Sequence, residues 1–148
     1  MSNYPRSPYM FTKILTSDPV SPQKGLAVIR IITGLLMAYH GLEVFNPELM
    51  AGYTTWDVIK KLPAPTFMVY LGKGLELATG ICFCLGIFMR VATLFLMTDM
   101  LFICFFVGNG KFYYEDQHPF LFALIALLFF FTGPGSWSLQ SWLSRKDA

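Results

Sequence analysis

Three apolar runs in this chain approach or exceed the length of a lipid bilayer, and a fourth falls a little short. That feature leaves few folds open. A helix that crosses the hydrocarbon core needs about 20 mostly apolar residues. The runs at 25–45 (GLAVIRIITGLLMAYHGLEVF), 66–89 and 91–107 are close to that requirement or beyond it. The fourth, at 117–133, holds the apolar stretch PFLFALIALLFFFT before Gly133-Pro134-Gly135 stops it. A soluble core of this size could not hide such runs. Fifteen Phe and eight Met stand among 148 residues, and only 14% of the chain is charged, against about 25% in a soluble domain. Inside a bilayer each segment must satisfy its own backbone polar groups, which makes the spans helical. The expected fold is therefore all-α, an integral membrane four-helix bundle occupying 25–143. A nucleic-acid binder, a disulfide scaffold and a disordered tail are excluded. The formal net charge of +2 is too small to argue for an anionic partner.

The short fourth run is read as a span because aromatic residues flank it. Phe112, Tyr113 and Tyr114 precede it and Trp137 and Trp142 follow, as interfacial belts do. Residues 1–24 are polar and rich in Pro and Ser, a surface leader without the apolar core or cleavage site of a signal peptide. Residues 144–148 form a short tail. Between the first two spans, at about 48–60, Leu49, Tyr53, Trp56 and Ile59 recur at helical spacing. That pattern predicts an amphipathic segment lying in the interface. Basic residues set the orientation. Arg6, Lys13, Lys24, Arg90, Arg145 and Lys146 fall on one side, and Lys60, Lys61 and Lys111 on the other. Both termini are expected in the cytoplasm.

Ionisable residues inside a membrane are expensive and therefore candidates for function. Arg30, His40 and Glu43 lie on span one, Lys73 and Glu76 on span two, and Asp99 on span three; His118, Glu115 and Asp116 stand at the mouth of span four. His40 with Glu43, and Lys73 with Glu76, are i, i+3 neighbours. At about 1.5 Å per residue, His40 lies roughly 8 Å and Lys73 roughly 11 Å below the outer surface. His40, Glu43, Lys73, Glu76 and His118 are expected to converge on an outward-opening polar site. Arg30 and Asp99 are expected to form a separate structural ion pair towards the cytoplasmic side. A set of internal salt bridges that merely brace the bundle is the competing reading.

No metal site is expected. Cys82 and Cys84 point about 200° apart around their helix, and Cys104 lies towards the opposite leaflet, so the thiols read as buried packing. His40 and His118 as haem ligands is the weaker alternative, since Glu43 neighbours one histidine and the other occupies a loop position. No phosphate loop, dinucleotide fingerprint or hydrolase triad is present.

These residues also carry a resemblance. Arg30, Gly34 and His40-Gly41, then Glu76, Gly80 and Gly86, then Arg90-Val91-Ala92, and finally Gly133-Pro134-Gly135-Ser136-Trp137-Ser138-Leu139 follow the order and spacing seen in the DoxX family. That family consists of four-helix bacterial membrane proteins, and the resemblance covers about residues 25 to 140. Family members often carry a Glu at the head of span four, where Glu115 or His118 stands here. They often carry a basic residue where this chain has Val44, and Lys73 has no match in the pattern. The resemblance implies a multi-pass protein of the bacterial inner membrane. The family includes a subunit that looks like part of a thiosulfate:quinone oxidoreductase, so the resemblance also implies a quinone-facing subunit of a membrane redox system.

On that reading His40, Lys73 and His118 bind the quinone, and Glu76, His40, Glu43 and Lys73 carry the proton chemistry. The partners implied are the lipid bilayer, a redox subunit or a second copy of the chain. Two alternatives compete with it: a non-catalytic membrane anchor or assembly subunit, and a small proton-coupled transporter.

Overall fold

The computed structural model describes residues 19–146, so most of the leader lies outside the described residues, as do the side chains of Arg145 and Lys146. Among the described residues every regular element is helical. Helix α1 runs Pro22–Gly41 and passes into a 3₁₀ turn at Leu42–Phe45. It starts three residues before the apolar run because a Pro is pre-organised for the first helical turn. Two short helices follow, α2 at Pro47–Thr54 and α3 at Asp57–Lys60. Asn46 caps α2, its side-chain oxygen accepting from the backbone N–H groups of Glu48 and Leu49 at 3.1 and 3.2 Å. Helix α4 spans Pro65–Leu85, and α5 spans Met89–Phe102 before a π-turn at Ile103–Val107. Helix α6 is Gln117–Thr132, and α7 is Leu139–Lys146.

Four antiparallel helices, α1, α4, α5 and α6, pack in a ring. Phe83, Leu96, Ala126 and Phe129 are almost wholly enclosed at its centre, whereas Leu35, Phe67, Phe95 and Phe131 face outward. An apolar outside around an apolar core is the pattern of a protein solvated by lipid. Three helices are long enough to cross a membrane, and α6 has only 16 residues, about 24 Å. It nonetheless runs the length of the bundle. It starts beside the finish of α1, where the rings of His40 and His118 meet. The loop after it reaches the start of α1, where the Ser136 N–H donates to the Gln23 carbonyl at 2.9 Å. A re-entrant segment would have returned to the end where it began.

Lipid offers helices no hydrophobic reason to associate, so contact depends on close backbone approach. A Cβ added at Gly34 would stand 2.6 Å from the Cys84 nitrogen and 2.7 Å from the Gly80 carbonyl oxygen, and one at Gly80 would run into the backbone of Ala38. Both glycines are points of close approach between α1 and α4, and Gly41, where a Cβ would run into the Leu77 backbone, is a third.

At the end of the bundle where α1 begins, the structure corrects the expected ion pair. Arg30 is fully buried, but Asp99 is not its partner. Its guanidinium donates to the carbonyls of Phe83 at 2.7 Å and Cys84 at 3.2 Å. It also reaches those of Trp137 at 2.8 Å and Ser136 at 3.4 Å. Phe83 and Cys84 lie in the last turn of α4, where carbonyls lose their helical donors and the dipole favours a cation. Arg30 thus ties α1, α4 and the loop after α6 together. Gly86 ends α4 with φ +67°, and a Cβ there would collide with the Arg30 guanidinium.

Candidate functional site

At the end of the bundle where α1 finishes, the helices enclose a cavity of about 510 Å³. Its polar corner is built around Lys73. The Lys73 ammonium donates to Glu76 Oε2, one helical turn further along α4, at 2.9 Å and lies equally close to Glu43 Oε2 in the turn after α1. Lys73 therefore joins Glu76, its i, i+3 neighbour, to Glu43 of the other pair read from the sequence. The Tyr53 hydroxyl of α2 completes it, donating to Glu43 Oε2 at 2.6 Å, while the ammonium stands 5.4 Å over the Tyr53 ring. Burial, together with the hydrogen bond to Glu43, holds the Tyr53 phenol above its ordinary pKa. It stays a hydroxyl donor. Glu76 is 4% exposed.

Asp99 lines the same cavity from α5. One carboxyl oxygen lies beside Gly72 of α4, and the other, Oδ2, is sealed from solvent with no hydrogen-bond partner. A buried acceptor left unmatched costs about 1–3 kcal/mol, so this one either awaits a donor or carries a proton. Asp99 stands near mid-helix, and depth counted from one end of its span placed it on the inner side. The rotation of α5 turns it towards Glu76 and Lys73.

Across the cavity, His40 of α1 and His118 of α6 meet edge to face with ring centroids 5.7 Å apart. His118 also packs on Phe122 at 4.9 Å. The expected cluster is thus assembled: Lys73, Glu43 and Glu76 in one network, the histidines on a second wall of the same cavity. The other two residues at the mouth of span four serve the loop. Asp116 Oδ2 accepts from the backbone N–H groups of Asn109 and Lys111, both at 2.9 Å. Glu115 pairs with Lys111 at 3.2 Å in the open. Sequence reasoning left Tyr53 and Asp99 out of the site. The signal for Tyr53 was a hydroxyl on the apolar stripe of the 48–60 segment; for Asp99 it was an unpaired carboxylate near mid-span.

The segment holding Tyr53 packs on the bundle. Met50 and Ile59 are buried with Val69 of α4, which makes α2 and α3 a roof over the cavity. Cys82, Cys84 and Cys104 are free thiols. Among the described residues, no three His, Cys, Asp or Glu side chains are grouped to hold a metal ion.

Chemically, the site offers an apolar chamber with one cation, two carboxyl groups and two imidazoles on its walls, and Glu43 bound to the same ammonium behind it. The family model described as DoxX matches residues 25–109, more than half of the chain. No curated protein and no solved structure matches.

Proposed function

The chain belongs to the DoxX family of membrane proteins, and for this member we propose that the cavity binds a quinone-type head group as part of a membrane redox system. The observation that carries the reading is the sealed, unpartnered Oδ2 of Asp99 on the wall of a chamber that also holds Lys73, Glu76 and His40. A volume of about 510 Å³ falls within the usual range for small-molecule sites, and the mix of apolar walls with a few convergent polar groups is typical of them.

The residues present fit such a head group. Lys73 has three N–H donors, two of them directed at Glu43 and Glu76, which leaves a third for a carbonyl oxygen. Asp99 and Glu76 are placed to hold and release protons. His40 and His118 continue from the cavity towards the outer surface, where His118 is exposed. Bound quinone would supply two-electron, two-proton chemistry, and the electrons would pass to or from a partner subunit. In the same proposal the protein sits in the bacterial inner membrane with both termini in the cytoplasm.

The test is a lipid extract and absorbance spectrum of the purified protein, followed by titration with a decyl-tailed benzoquinone read by tryptophan fluorescence, since Trp56 lines the cavity. A co-purifying quinone and saturable quenching, weakened at least tenfold by Asp99→Leu, are expected. Absence of both would return the protein to the anchor or assembly reading, and a Soret band would instead favour haem.

A further inference from the structure

The walls of the cavity differ in a way that bears on how it is filled. In the ring of four helices, the seam between α4 and α5 lies opposite the seam between α1 and α6, where the histidines meet. On the α4–α5 seam the lining residues include Leu71 and Gly72 on one side and Phe95 and Thr98 on the other. Leu71 is 43% exposed and Phe95 50% exposed. Leu71 stands six residues into α4, about 9 Å below its outer end, which is hydrocarbon depth. A side chain that lines a cavity and also faces lipid marks a mouth in the wall. Gly72 leaves that mouth open: an added Cβ would meet only the Asp99 oxygen, at 3.6 Å. Towards the outer aqueous face the roof covers the chamber only in part: Ile59 is buried, while Trp56 is 49% exposed.

Charge narrows the occupant. Glu43 and Glu76 share the one ammonium of Lys73, and Asp99 adds a third carboxyl group without a cation of its own. A carboxylate or phosphate head entering this corner would meet like charges where solvent screening is weak. A neutral head with hydrogen-bonding oxygens meets none of that repulsion.

We propose that the cavity is loaded sideways from the bilayer through the α4–α5 seam by a neutral, single-chain lipophile. Its head lies against Lys73, Glu76 and Asp99, and its chain stays in lipid between Leu71 and Phe95. This inference rests on the quinone reading for the identity of the head. It adds the route of entry, the position of the chain and the charge class.

The experiment compares a decyl-tailed benzoquinone with the same ring lacking the tail, by tryptophan quenching of the full chain in phosphatidylcholine nanodiscs. Gly72→Leu fills the seam and should cost the tailed ligand at least tenfold more affinity than the tailless ring. Leu71→Trp enlarges an exposed lip without touching the core, so it reads the same selectivity should Gly72→Leu fail to fold. Palmitate should not displace the tailed ligand, while the corresponding neutral alcohol should. If wild type binds both rings but the variants weaken them equally, the lateral route is overturned and the quinone reading stands. Displacement by palmitate as effective as by the alcohol overturns the charge class. If wild type binds neither ring, the quinone reading falls and this inference falls with it.

Discussion

Replacing Arg30 directly tests the end of the bundle where α1 begins. The side chain makes two short hydrogen bonds, to Phe83 at 2.7 Å and to Trp137 at 2.8 Å, and two longer ones. Hydrogen bonds from a charged donor contribute about 1.5–3 kcal/mol each, which sets an upper range of about 3–6 kcal/mol for the short pair. Two effects reduce it. Polar contacts between membrane helices average nearer to about 0.6 kcal/mol, because the loosened state finds other partners. Removing the guanidinium also recovers its desolvation cost. The expected loss for Arg30→Leu is about 2–4 kcal/mol, measured by SDS-titrated unfolding in detergent. Modification of Cys84 by a thiol reagent should quicken, since the Cys84 carbonyl is one of the released acceptors. Arg30→Lys should recover no more than about half of the loss, because an ammonium cannot fork between α4 and the loop after α6. The double variant Arg30→Leu/Asp99→Leu should be additive within about 0.5 kcal/mol, since the two residues share no partner. Full stability of Arg30→Lys, or a double variant markedly more stable than Arg30→Leu alone, would refute the reasoning.

Other expectations follow from the outer network and the helix contacts. Glu76→Gln leaves Lys73 its bond to Glu43, so unfolding in detergent should shift by less than about 1 kcal/mol while quinone affinity falls at least tenfold. Lys73→Met strands two carboxylates and should cost about 3–5 kcal/mol, with much of it recovered when Glu43 and Glu76 are both changed to Gln. Gly80→Val forces α1 away from α4 and should abolish the monodisperse peak in size-exclusion chromatography, whereas Gly25→Ala, at a position with open space, should leave it unchanged. A reporter fused after Ala148 should be active only if it works in the cytoplasm, and periplasmic phosphatase activity there would mean an odd number of crossings.

Sequence alone determined that this chain enters a membrane, where its four apolar helices lie, and which ionisable residues share a helical face; α7 and the split between α2 and α3 it did not mark. Those properties depend on the length of apolar runs and on the 3.6-residue period, both local. His40 with Glu43 and Lys73 with Glu76 could therefore be paired on paper, whereas the close contact at Gly34 and Gly80 appeared only when the backbones packed. Only the tertiary structure decided what each charge meets. Arg30 is held by carbonyls more than fifty residues away in sequence, and backbone carbonyls carry no signature in the identity of a residue. Asp99 stands near mid-span, so its partners depend on the rotation of α5 about its own axis, which packing sets and periodicity does not. Tyr53 joined the site because α2 folds back over the bundle, and Asp99 joined it because α5 packs against α4 beside Gly72. A helix fixes its own faces locally; which neighbour each face meets is settled only when the backbones pack.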